Sequence, residues 1–141
     1  MDKEYMDEAF KEAEKSTCLR AHVGVVFVLN NTIIAKGYNN VSGGVADCTK
    51  FGCIRDMMHI PSGERREVCR YICAEQVAIT ESAKMGVKLD GSTVYVTTFP
   101  CHICAKMLVN CGVKEIVYDK DYPDILSHGF LKEAGITVRK I

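Results

Sequence analysis

Two short cysteine motifs constrain this chain more than any other feature. Cys73-Ala74-Glu75 and Pro100-Cys101-His102-Ile103-Cys104 lie well apart in sequence, each at the start of a segment with helical character. Residues three apart on a helix share a face, so Cys101 and Cys104 can present both sulfurs to one point. Cys73 joins them only if the fold brings two helix starts together. Three thiolates can hold a zinc ion and leave its fourth position open for water, and a carboxylate two residues from the first ligand can move protons for that water. A closed four-ligand site would be structural, whereas three ligands beside an acid–base group point to hydrolysis. Two helix N-termini, each carrying partial positive charge, would offset the charge that three thiolates place on the ion.

The rest of the pattern supplies such a fold. Tyr5, Met6, Ala9, Phe10 and Ala13 recur at helical spacing, which predicts an amphipathic helix over roughly the first sixteen residues. Val23–Leu29 reads as a buried strand, Asn30-Asn31 as a tight turn, and Thr32–Tyr38 as the hairpin partner. Residues from Asn39 to about Arg70 read as irregular, and a loop this long is functional or held by something. A helix is predicted from about Tyr71 to Met85, a strand over Thr93–Thr98, a helix opened by Pro100 and ending near Gly112, and a strand over Glu115–Asp119. A short helix after Pro123 and a strand over Ile136–Ile141 close the chain. Strands alternating with helices predict an α/β fold, a central mixed sheet with helices on both faces, and residues 1–141 as a single domain.

Composition narrows the function classes. Eighteen basic residues balance eighteen acidic ones, so no overall positive field would gather nucleic acid. The beginning, Met1-Asp2-Lys3-Glu4-Tyr5, carries charges where a signal peptide needs an apolar stretch, and the longest apolar run, Val23–Leu29, is too short for a bilayer. A cytoplasmic protein with no membrane partner is expected. In that reducing setting eight cysteines read as metal ligands or reactive thiols before disulfides.

C-x-E followed by P-C-x-x-C is the zinc deaminase signature in its three-cysteine form. It assigns Cys73, Cys101 and Cys104 to a catalytic zinc and makes Glu75 the proton shuttle. Zinc hydroxide would attack the amino-bearing carbon of a base while Glu75 protonates the ring nitrogen and the departing amine. Taken singly the parts are weaker. C-x-x-C also marks redox sites and zinc knuckles, and Glu75 alone could be a solvated first-turn residue. An inactive zinc-stabilised interaction module would retain the cysteines without needing Glu75.

Beyond the signature, the chain resembles deoxycytidylate (dCMP) deaminases, particularly the bacterial and phage branch that includes the late-competence ComE-type proteins. The matching segments are Ser16-Thr17-Cys18-Leu19-Arg20, Gly37-Tyr38-Asn39, Ser62-Gly63-Glu64-Arg65, Ala74-Glu75-Gln76, Thr97 through Met107, and Asp121-Tyr122-Pro123, in family order over nearly the whole chain. The resemblance implies a three-layer α/β/α cytidine deaminase-like fold with a five-stranded sheet, and conversion of dCMP to dUMP and ammonia. It also implies a homo-oligomer, commonly a hexamer, with dCTP and dTTP as effectors. Cytidine, deoxycytidine, dCTP or guanine are the alternative substrates, and balanced charge argues against tRNA. The chain departs from the family's usual H-A-E-Q-N-A in having Cys73 and Val77, and it has Asn40 where glycine is usual.

Substrate contacts follow from the same alignment of motifs. Asn39 matches a residue that bonds the sugar hydroxyl, although a turn asparagine satisfying its own backbone is the alternative. Tyr122 resembles the aromatic that covers the base, or else packs in the core. Arg20, ahead of the first strand, is a donor for the 5′-phosphate or an ordinary surface charge, and His22 is a weaker candidate nearby. The Thr98 carbonyl would accept from the amino group under attack.

Cys18, Cys48, Cys53 and Cys69 could converge as a structural zinc site that orders the long irregular segment, with His59 able to replace one thiol. Phage relatives resemble this arrangement at positions matching Cys18 and Cys48. The alternative is that these are small buried apolar residues, as Cys111 is taken to be.

Overall fold

The computed structural model describes every residue, Met1–Ile141. Helix α1 (Asp2–Ala13) leads to strand β1 (Gly24–Leu29), which β2 (Thr32–Tyr38) meets antiparallel. Asn30 and Asn31 take φ of 50° and 60° in the turn. That left-handed pair suits a two-residue hairpin, and asparagine tolerates it. Two-residue strands β3 (Asn40–Val41) and β4 (Tyr71–Ile72) form a separate ribbon. Between them lie the one-turn helices α2 (Cys48–Phe51) and α3 (Ile54–Met57) and a 3₁₀ turn, Arg66–Val68. Then follow α4 (Ala74–Met85), β5 (Thr93–Thr98), α5 (His102–Asn110), β6 (Glu115–Lys120), α6 (Ile125–Glu133) and β7 (Thr137–Lys140).

The main sheet has five strands in the order β2-β1-β5-β6-β7. β1 pairs antiparallel with both neighbours, while β5, β6 and β7 run parallel. Its three-layer arrangement explains the unbroken apolar run in β1. Val26 and Val28 pack under α1 with Met6, Ala9, Tyr95 and Val117. Val25 and Phe27 point the other way, joining Val94, Val96 and Ile116 against Ala74, Ala78, Ala105, Leu108 and Leu131 of α4, α5 and α6. A strand buried on both faces needs no polar alternation. Each such side chain removed from water stabilises the fold by roughly 1.5–3 kcal/mol.

Two glycines set how closely helices approach. A Cβ at Gly24 would lie 1.9 Å from the Ala9 carbonyl oxygen, and one at Gly37 would lie 2.5 Å from that of Ala74. Gly37 therefore lets the first turn of α4 rest directly on β2. No helix is long and apolar enough to cross a membrane.

Two helix starts and one segment differ from the sequence expectation. The helix expected from Tyr71 begins at Ala74, because Tyr71 and Ile72 are drawn into the ribbon with β3. Pro100 precedes α5 instead of opening it, leaving Cys101 as the N-cap. Asn39–Arg70 is less irregular than expected. Its short elements are pinned from outside: Tyr71 Oη receives Cys48 N–H at 3.3 Å and lies 2.6 Å from Thr17 Oγ1, while Arg20 Nε donates to Asp56 Oδ1 at 2.6 Å.

Candidate active site

α4 and α5 begin at the same place. Cys73 and Cys101 are their N-cap residues, with extended backbone (ψ 155° and 165°), and Cys104 lies in the first turn of α5. The Sγ atoms of Cys73, Cys101 and Cys104 all fall within 4.8 Å of one another, the one set of three or more such ligand atoms this close in the molecule. Local bonding holds the frame. Cys73 N–H donates to Gln76 Oε1 at 2.8 Å, and the first helical bonds run from Val77 N–H to Cys73 O and from Ala105 N–H to Cys101 O.

The donor set suits a soft-to-borderline dication. Hydrogen bonds from the Cys104 and Cys73 side chains hold the Cys101 thiol far below its ordinary value, whereas the same bonds to Cys101 push Cys104 up. Cys73 is likewise pushed up, chiefly by its bond to Cys101. Cys101 and Cys104 are buried and Cys73 half-buried, so the three sulfurs act on one another at close range. A bound divalent ion would ionise all three, and tetrahedral sulfur coordination favours zinc. Glu75, one residue into α4, is 3 % exposed. Burial, then the Cys101 charge, raises its carboxyl to about 7.

Beside this cluster lies a cavity of about 230 Å³. Cys73, Glu75 and Cys101 line it, as do all four residues expected to touch substrate: Arg20, Asn39, Thr98 and Tyr122. The Asn39 side chain is partly committed. Its Oδ1 accepts from Val23 N–H at 2.8 Å and its Nδ2 donates to the Ala21 carbonyl at 2.9 Å, leaving one N–H and one lone pair. Arg20 Nε donates to Asp56 at 2.6 Å and Nη2 to the Ile60 carbonyl, while Nη1 is buried without a partner. His22 stays outside the cavity, exposed, with Nε2 3.0 Å from the Cys18 carbonyl.

Sequence reasoning missed two arginines on the same wall. Arg55 is only 5 % exposed and its buried Nε has no partner. Arg66 donates from Nη1 to Tyr122 Oη and from Nη2 to Cys73 Sγ, both at 2.8 Å. The pattern Gly63-Glu64-Arg65-Arg66-Glu67 looks like a solvated charge run. No periodicity marks which of its residues turns inward.

The second cysteine set is looser. Cys48 and Cys53 are buried and Cys18 and Cys69 half-buried. After burial, the charges of Cys53, Cys69 and Cys18 raise the Cys48 thiol, so the four share one neighbourhood. His59 is exposed, and Cys111 packs half-buried at the main core.

Residues 1–120 match the family model of the cytidine and deoxycytidylate deaminase zinc-binding region. The chain belongs to this family. It is 34% identical to ComE operon protein 2 of Bacillus subtilis over 97% of this chain and 69% of that protein. It is also 34% identical to the deoxycytidylate deaminase of Saccharomyces cerevisiae over 99% of this chain, but that alignment spans only 44% of the yeast enzyme. Among solved structures, the dCMP deaminase of cyanophage S-TIM5, in complex with dCMP and dUMP, superposes with a TM-score of 0.79 at 29% identity, covering 99% of this chain and 95% of the phage one. The five-stranded mixed sheet with flanking helices is thus the cytidine deaminase-like fold, and the family is zinc-binding.

Proposed function

We propose that this chain, acting as one domain over residues 1–141, hydrolyses dCMP to dUMP and ammonia. The observation that carries the reading is a single cavity joining two chemistries. At one end stand Cys73, Cys101 and buried Glu75, and on the wall stand Arg20 and Arg55 with unpartnered guanidinium N–H groups. The relatives named deoxycytidylate deaminase support the same substrate.

Cys73, Cys101 and Cys104 would hold the zinc ion. When bound, that ion supplies the Lewis acidity that lets water ionise near neutral pH. Glu75 moves the protons. With its carboxyl raised to about 7, it can accept a proton from the attacking water and release it at the same pH. It delivers that proton to the ring nitrogen as the carbon–oxygen bond forms, then takes the remaining proton from the new hydroxyl and passes it to the amine as the carbon–nitrogen bond breaks. The water oxygen becomes the carbonyl oxygen of dUMP.

Other residues orient the nucleotide. Asn39 offers its remaining N–H and lone pair to the sugar hydroxyl, Tyr122 covers the base, and the Thr98 carbonyl accepts from the amino group. Arg20 and Arg55 take the 5′-phosphate. A buried guanidinium with a free N–H is costly without an anion, and a phosphate can engage two such groups at once. Cys18, Cys48, Cys53 and Cys69 form a second, structural zinc site in this reading, and the exposed His59 is left out of it. Exposed apolar side chains such as Phe51, Met57 and Ile125 offer surface for a homo-oligomer.

Ammonia release from dCMP, deoxycytidine, dCTP and guanine, with and without a chelator, tests the proposal. The expected outcome is chelator-sensitive turnover with kcat/KM highest for dCMP. Arg55→Met should lower kcat/KM for dCMP by about tenfold or more, the scale of one charged hydrogen bond, and leave deoxycytidine unchanged. Equal rates on dCMP and deoxycytidine would remove the phosphate from the reading, and turnover of guanine alone would overturn it.

A further inference from the structure

Arg66 has no part in the chemistry just described, yet it reaches the sulfur set directly. Arg65, at φ 49°, turns the chain into the 3₁₀ turn that begins at Arg66. The Arg66 guanidinium then spans two groups: Nη2 meets Cys73 Sγ and Nη1 meets Tyr122 Oη, with the guanidinium carbon 5.9 Å from the Tyr122 ring centroid. The side chain is half-buried on the cavity wall it shares with Cys73, Cys101 and Tyr122. A guanidinium taken out of water needs an anionic partner, and a neutral thiol is a poor one.

The identity of residue 73 gives this contact its meaning. Histidine at position 73 would contribute a neutral ligand, whereas Cys73 contributes a thiolate and one more negative charge. A more electron-rich ligand set makes the metal a weaker Lewis acid, and an N–H donor on sulfur draws that density back. We propose that Arg66 is a positioning residue that compensates the additional charge Cys73 brings to the metal ligands and ties that ligand to Tyr122. The inference rests on the zinc reading of the site. It is a statement about electrostatics at one sulfur, independent of which nucleotide is bound.

A double-mutant cycle read by zinc affinity, without substrate, tests it. Purified protein is titrated against a competing chelator as the parent chain, Arg66→Met, Cys73→His, and the double variant. In the parent background Arg66→Met should weaken zinc binding about 10–100-fold, the usual effect of losing a hydrogen bond to a ligand. In the Cys73→His background the same change should weaken it less than about threefold, because the charge to be compensated is gone. Equal losses in both backgrounds, or none in either, would overturn the proposal. A second readout uses only the parent and Arg66→Met, loaded with cobalt(II). The sulfur-to-metal charge-transfer band should move to lower energy when Arg66 is lost, and an unmoved band would count against the compensation. Failure of the parent chain to bind zinc at all would instead remove the zinc reading beneath it.

Discussion

The two cysteine clusters were assembled by opposite means. Cys73, Cys101 and Cys104 stand at the starts of α4 and α5, whose positions are fixed by packing on the sheet, and their sulfurs gather within 4.8 Å. Cys48, Cys53 and Cys69 sit among one-turn elements between Asn39 and Arg70, joined by Cys18 from the stretch before β1. These approach one another without closing to the same spacing. A site built on long helices is organised before any ion arrives. A site built on short turns depends on its ion to draw the chain together.

The largest expected effect breaks chemistry away from the first cluster while leaving the cluster intact. Glu75→Gln should reduce kcat by about 10²–10⁴-fold, the range for a positioned acid–base group, with zinc content unchanged by metal analysis. Loss of zinc together with activity would make Glu75 part of the metal frame. An intermediate effect is expected at the second cluster. Cys48→Ser should take zinc from two equivalents per chain to one, lower Tm by about 3–4 °C for each kcal/mol lost, and expose residues 39–70 to protease. Cys111→Ser, at the end of α5, should leave the zinc content unchanged. One equivalent in the fully loaded parent would dissolve the contrast between the clusters.

The smallest effect is expected far from both, and it serves as a control. Arg139 joins Asp2 of α1 to Glu115 of β6 through bonds of 2.9 Å, on side chains that remain partly exposed. Arg139→Met should cost under about 1 kcal/mol by denaturant titration, because solvent screens such pairs. The Arg139 and Tyr95 hydrogen bonds bring the Asp2 carboxyl down from 3.8 to about 2. A depressed carboxylate pKa stabilises the fold above 3.8 and loses that contribution as pH falls toward 2. Arg139→Met should therefore matter less at pH 2 than at pH 6.

The sheet and the first cluster were legible because each rests on local rules. A continuous apolar run such as Val25–Val28 declares a strand covered on both faces, and cysteines three apart beside a proline declare a helix start with shared ligands. The frame from Asn39 to Arg70 was not legible, since its order comes from distant partners. Tyr71 Oη receives Cys48 N–H, and Arg20 reaches the Ile60 carbonyl across the rim. Arg55 and Arg66 stayed hidden for the same reason. Nothing local distinguishes an arginine aimed into a cavity from one in water. The late start of α4 is a related case, where pairing of Tyr71 and Ile72 with β3 overrides helical preference.

Gly37 carries a quieter implication. With a Cβ there only 2.5 Å from the Ala74 carbonyl oxygen and 2.8 Å from the Ala78 nitrogen, the turn bearing Cys73 and Glu75 would have to lift. The placement of Cys73 and Glu75 is therefore adjusted from behind, by a hydrogen atom on the reverse side of the helix. A single added methyl, touching neither nucleotide nor ion, would act like a shim under a lens mount and defocus the whole assembly.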